Sequence, residues 1–155
     1  MSALKSADVE VFSESIKKYF DVTTRKRASV RSAYLLEGAE PIVWGDYNGL
    51  IELGGGYRGS VCFSAARGLL THVLLTMGES DYSDESHRDV VGEIANTLSG
   101  RARRHFGEQL DISPPQAFAS RARRVERRAA TRPVAIPIDW NGYEACLVVH
   151  LEPVA

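Results

Sequence analysis

Two residues three positions apart, Glu93 and Asn96, are set apart by type and spacing. On a helix of 3.6 residues per turn they lie one above the other. Asp89 precedes the pair by about one turn and Gly100 follows it by one. With Val91 at zero, Asp89, Glu93, Asn96 and Gly100 fall at about 160°, 200°, 140° and 180° around the axis. A carboxylate beside an amide is neither a nucleophile–base pair nor a metal site. A carboxylate can, however, pair with a lysine or arginine of another molecule. An amide has both a donor and an acceptor and can hold and orient a water, a device used in phosphoryl hydrolysis. The line points to docking on a partner and positioning a water there.

The same wheel explains how the line faces outward. Ile94, Ala95, Leu98, Ala102, His105 and Phe106 fall within about 60° of Val91 and form a core stripe on the opposite side. An outward polar line is ordinarily a solvated face. Gly100 argues for more, because an interior glycine costs a helix about 1 kcal/mol against alanine. An exposed site gains from glycine only when something must approach closely. Arg103 and Arg104 flank the same side one turn later.

The elements that position this line follow from periodicity. Val9, Phe12, Ile16 and Tyr19 predict a first amphipathic helix over about 7–21. Arg27–Glu37 is mixed and can be a strand. Ile42–Trp44 and Tyr47–Leu53 read as strand. Gly54-Gly55-Gly56 is a turn rather than a phosphate cradle, since strand-like Tyr57–Phe63 resumes at once. Ser64 is the expected N-cap of a helix over Ala65–Met77, with Leu69, Leu70, Val73, Leu74 and Met77 inward and Gly78 as its stop. Ser83 or Asp84 caps the long helix of about 84–108, with Asp84 and Glu85 at its positive end. Gly107 and Pro114-Pro115 end it. Gln116–Val125, Pro133–Trp140 and Tyr143–Glu152 read as strands, and Asn141-Gly142 is a two-residue hairpin turn. The fold class expected is α+β, an antiparallel sheet with helices on one face, in a single domain over 1–155.

Composition bounds the function. The chain has 155 residues, 44% hydrophobic and 25% charged, which is globular in character. Nineteen Lys and Arg oppose twenty Asp and Glu, so a globally basic nucleic-acid binder is not indicated. Two cysteines, Cys62 and Cys146, make no disulfide framework and are expected to pack as small hydrophobes. No stretch reaches the roughly 18 apolar residues of a membrane helix, and Met1–Phe12 has no apolar signal core. A cytoplasmic protein off the membrane is expected.

Other residues carry weaker signals. His72, His87, His105 and His150 share no metal-ligand spacing, and His105 is expected to pack in the core. Ser60, Ser64 and Ser99 lack the context of a nucleophilic serine. Trp44 and Trp140 are expected in the core or at a dimer edge. Arginines at 101, 103, 104, 121, 123, 124, 127, 128 and 132 face only Glu108, Asp111 and Glu126 locally. No aromatic residue interleaves Arg121 to Arg132, so a single-strand stacking surface is not supported. A solvated edge strand, or steering toward an acidic partner, accounts for the run.

The segment Asp89-Val90-Val91-Gly92-Glu93-Ile94-Ala95-Asn96-Thr97-Leu98-Ser99-Gly100 resembles the signature helix of the CheC/CheX/FliY phosphatases of bacterial chemotaxis. Their pattern is Asp or Ser, then Glu, then Asn at these spacings, with a proline downstream. Gly56 to Ser64 and on to Met77-Gly78 is similar to the segment leading into that helix, and the likeness spans roughly 47–152. One copy of the helix in the chain resembles the CheX branch. The resemblance implies a phosphatase acting on the phospho-aspartate of a CheY-type response regulator. It implies that Asn96 positions the attacking water and Glu93 docks on a regulator lysine. Asp89 takes a supporting part in partner binding, as do Gly100, Arg103 and Arg104. No cofactor is implied in this chain; a divalent metal, magnesium, is expected in the partner. A homodimer joined through sheet edges is implied as well. Two other readings remain open: a non-catalytic binding adaptor of chemotaxis or two-component signalling on the same fold, and a dimeric regulator using its Arg-rich strand on nucleic acid.

Overall fold

The computed structural model describes residues 4–36, 45–119 and 132–154. Among them, helix α1 spans Ser6–Thr24 and ends where Arg25 turns left-handed at φ 60°. Two short strands follow, β1 (Ser29–Val30) and β2 (Tyr34–Leu35), then β3 (Tyr47–Gly55) and β4 (Tyr57–Ala65). Helices α2 (Arg67–Thr76) and α3 (Asp84–Phe106) come next. Strands β5 (Leu110–Ile112), β6 (Gln116–Ala119), β7 (Val134–Trp140) and β8 (Tyr143–Pro153) close the chain.

The strands form one antiparallel sheet in the order β1-β7-β8-β4-β3-β5, with β2 also on β7 and β6 also on β3. This is the α+β architecture expected from the sequence. Alternation along each strand sends one set of side chains to the helices: Ile51 and Leu53, Val61 and Phe63, Ile136 and Ile138, Leu147 and Val149. They share one core with Phe12, Ile16 and Phe20 of α1, Leu69, Leu70 and Val73 of α2, and Val91, Ile94, Ala95 and Leu98 of α3. The other face carries a smaller cluster of Leu36, Leu50, Cys62, Phe118, Ala135 and Val148. Both cysteines point to that side as free thiols, Cys62 buried and Cys146 half-buried, packed as small hydrophobes.

The turns follow their residues. Asn141 and Gly142 both take positive φ, 50° and 81°, as a type I′ hairpin requires. Gly55, at φ 74°, lets β3 turn into β4. Trp140 is buried against Phe20 and donates its indole N–H to the Lys26 carbonyl at 2.9 Å, which makes it a core residue.

Several local expectations change. Ser64 does not cap α2: β4 runs through Ala65, and Ser64 is a buried strand residue that accepts from the Gly45 N–H. The N-cap position is Ala66, and Asp46 supplies the missing acceptor by taking the Arg67 N–H at 2.9 Å. Met77 lies past the end of α2 and is 36% exposed rather than buried. His105 is also outside the core. It is exposed on the last turn of α3 and pairs with Asp8 at 2.9 Å. Ile42–Trp44 and the Arg-rich stretch from Arg121 to Arg128 lie outside the described residues.

Candidate functional site

The candidate site is the outward face of α3, and three sets of contacts hold that helix. The first is at its start. Ser83 is the cap and accepts the Ser86 N–H at 3.2 Å. His87 is fully buried beneath it. Its Nδ1 donates to the Ser83 carbonyl at 2.7 Å and its Nε2 meets the Thr71 hydroxyl at 2.7 Å. Its ring stacks on Tyr47, centroids 5.4 Å apart. Tyr47 donates to Asp84 at 2.6 Å, and Asp84 also accepts from Arg88 at 2.7 Å. These bonds, Tyr47's first and then Arg88's, hold the Asp84 carboxyl below its usual range. Burial, and then the hydrogen bond to Asp84, raise Tyr47 above its own. One polar cluster thus ties α2, β3 and the first turn of α3. Histidine spacing alone carries no sign of His87's part in it.

The second set lies under the middle of the helix. Gly49 of β3 faces Val91, and a Cβ there would press into the Val91 carbonyl and stand 3.1 Å from the Ala95 Cβ. Glycine lets strand and helix backbones approach closely. The motif helix therefore sits directly on the sheet at the turn below Glu93.

The third set borders the helix on both sides. On one side α1 runs antiparallel to it: Asp8 meets His105, Phe12 and Phe106 lie 6.2 Å apart, and Arg101 donates to the Ser15 carbonyl at 3.1 Å. On the other side Pro115 and Ala117 lie against Gly92. Arg103 donates its Nε–H to the Leu110 carbonyl at 2.7 Å.

Between these borders lies the polar line read from the sequence. Asp89, Glu93 and Asn96 are all exposed, and Gly100 is half-buried. Among the described residues none of the three polar side chains has a hydrogen bond or ion pair. A Cβ on Gly100 would meet nothing within 4 Å. Arg103 and Arg104 are exposed beyond it and border a shallow hollow with Gly100, Gly107 and Glu108. The structure thus gathers Asp89, Glu93, Asn96, Gly100, Arg103 and Arg104 along one helix. Among the described residues no three His, Cys, Asp or Glu side chains come together as metal ligands.

The profile of the family described as chemotaxis phosphatase CheX matches residues 47–139. The chain belongs to the CheX family. No curated protein matches it by sequence. Its fold is similar to that of a CheC-like superfamily protein from Shewanella sp. PV-4, at TM-score 0.82 and 20% identity, covering 96% of this chain and 99% of that one. Chemotaxis protein CheX from Vibrio vulnificus gives 0.79 and 21%, covering 95% and 100%. A chain of a CheX–CheY–BeF3–Mg2+ complex from Borrelia burgdorferi gives 0.74 and 14%, covering 93% and 97%. The matched stretch 47–139 includes all of α3. Among the described residues no helix is long and apolar enough to cross a membrane.

Proposed function

We propose that this CheX-family chain hydrolyses the aspartyl phosphate of a CheY-type response regulator with the exposed face of α3. Asn96 accepts a hydrogen bond from the attacking water and donates another through its amide, which aims the water oxygen at phosphorus. The water–phosphorus bond forms as the phosphorus–carboxylate bond breaks, and the products are free aspartate and inorganic phosphate. Glu93 pairs with a lysine of the regulator and sets the register of docking. Asp89, Gly100, Arg103 and Arg104 contact the same partner around that pair. The regulator holds the divalent metal, magnesium, and the acceptor aspartate.

The observation that carries this reading is the pairing of exposure with fixation. Glu93 and Asn96 are unpartnered and solvent-facing, on a helix held at its start, underneath and on both flanks. Solvated side chains on a rigid element suit a site completed by a second molecule. The Borrelia relative complexed with CheY supports the choice of partner. Two copies joined through sheet edges fit the same reading, since Tyr34 and Leu35 of β2 are exposed.

The test is phosphate release from phosphorylated CheY-type regulators of the same organism. Wild type accelerates it, and Asn96→Ala loses about 10²–10³-fold of the acceleration while still binding, the cost typical of one fixed polar group in a transition state. Binding without acceleration by wild type would instead favour a non-catalytic adaptor.

A further inference from the structure

Arg103 and Arg104 straddle the polar line of α3. With Val91 at zero they fall at about 120° and 220°, on either side of Gly100 at about 180°. Both are exposed. With Gly100, Gly107 and Glu108 they line a hollow of about 300 Å3 at the C-terminal end of the ridge. Gly100 leaves that hollow open, since a Cβ there would meet nothing within 4 Å. The helix dipole favours cations in a last turn, but it does not call for an interior glycine one turn before them.

The two arginines differ in what holds them. Arg103 donates its Nε–H to the Leu110 carbonyl at 2.7 Å, which fixes the guanidinium and leaves its terminal nitrogens without a partner among the described residues. Arg104 has no hydrogen bond or ion pair among the described residues. It also borders a second hollow toward α1, with Glu10, Glu14 and Lys18, and pairs with neither of those carboxylates. Glu108 likewise has no ion pair among the described residues. Two guanidinium groups against the one carboxylate of Glu108 leave the C-terminal hollow a single net positive charge. That balance fits one carboxylate, which guanidinium groups bind through paired N–H donors. A phosphate dianion would turn it negative.

We propose that this hollow receives one Asp or Glu side chain of the docked regulator and so selects among regulators. Arg103 lies seven positions after Asn96, roughly 10 Å along the helix axis. A regulator whose aspartyl phosphate meets Asn96 must carry the carboxylate about that far away, over the C-terminal end of α3. The lysine that meets Glu93 lies on the opposite side. Anchors of opposite sign at the two ends fix the direction as well as the register of α3 on its partner. A regulator with a neutral or basic residue at that point leaves the arginines without their anion and binds more weakly. This inference rests on the ridge docking on a CheY-type regulator.

The experiment titrates wild type, Arg104→Ala and Arg104→Glu with a regulator charged with beryllofluoride and Mg2+. Phosphate release from the phosphorylated regulator is followed in parallel. Arg104→Ala should weaken binding about tenfold, the range of one hydrogen-bonded charge pair. Arg104→Glu should weaken it further, because like charges then meet. The loss should appear in KM more than in kcat. Thermal unfolding of Arg104→Ala should stay close to that of wild type. Each exposed Asp and Glu of the regulator is then changed to Asn or Gln. One of them should reproduce the loss, and Arg104→Ala should add little to it. Lys at that regulator position should restore binding to Arg104→Glu. Unchanged affinity in both Arg104 variants, or losses that add with every regulator carboxylate, overturns the proposal. So does millimolar inorganic phosphate that shifts the Arg103 and Arg104 Nε–H signals of the free protein, since the hollow would then take a free dianion. Wild type that binds but does not accelerate release overturns only the catalytic reading, and the same cycle still tests the carboxylate. Wild type that does not bind overturns both.

Discussion

Pro115 stands against Gly92, the residue before Glu93: a Cβ built on Gly92 would meet the Pro115 Cβ at 3.4 Å. Pro115 thus lies in the flank of α3. With Ala117 it forms one wall of the ridge that bears Glu93 and Asn96, and α1 forms the other. Pro114 and Pro115 lie 18 and 19 positions after Asn96, and the contact with Gly92 gives Pro115 a physical task.

Gly100 offers the cleanest separation of stability from docking. Nothing lies within 4 Å of its missing Cβ. Gly100→Ala should therefore stabilise α3 by up to about 1 kcal/mol through helix propensity. If the partner packs on this glycine, KM for the phosphorylated regulator should rise several-fold in the same variant. Urea unfolding and phosphate-release kinetics on one preparation check both; a stabler variant with unchanged KM would remove Gly100 from the docking surface.

Gly49 should behave in the opposite way. Its Cβ would overlap the Val91 backbone, so Gly49→Ala must push α3 off the sheet. Overpacking of this kind costs about 1–3 kcal/mol. The urea midpoint should fall accordingly, and phosphatase activity should drop with it because the ridge loses its seat.

His87→Ala should loosen the start of α3. It removes the bonds to Ser83 and Thr71 and the stack on Tyr47. Unsatisfied buried partners cost about 1–3 kcal/mol. Thermal denaturation should show the loss, and amide exchange should speed up first around Ser83–Arg88. Uniform protection in that turn would mean that the cap alone holds it.

The thiols give a pH prediction. Burial pushes Cys62 up to about 12, with Cys146 nearby adding to the shift. Burial likewise pushes Cys146 up to about 12, against opposing pulls from the Ile136 backbone and Arg31. An unfolded chain loses these protons at roughly 8.5. Between about pH 8.5 and 12 the native state therefore holds protons that the unfolded state has lost, so stability is full below that window and falls as pH rises through it. A disulfide reagent at pH 8 should label native protein slowly and urea-unfolded protein fast. Prompt labelling of native Cys62 would contradict its burial.

The sequence by itself determined the three helices and the long strands, and which side of the long helix faces out, but not the short strand Leu110–Ile112. Those properties depend on neighbours three or four positions away, or two in a strand, and periodicity records them. Glu93, Asn96 and Gly100 were legible for that reason, as was the Asn141-Gly142 turn. Periodicity failed where an element outlasts its packing partner. Met77 lies beyond the end of α2, and His105 sits on the last turn of α3 and meets Asp8 instead of the core. It failed again at Ser64, where β4 continued into a position with the chemistry of a cap. Only the tertiary structure decided what borders the site. Strand order brought Gly49 under Val91 and Pro115 beside Gly92. Packing of α1 on α3 joined Ser15 to Arg101 along one flank, and packing of α2 buried His87 between Thr71 and Tyr47. These pairs are far apart in the chain, and their juxtaposition depends on how whole elements share one core, which no local spacing encodes.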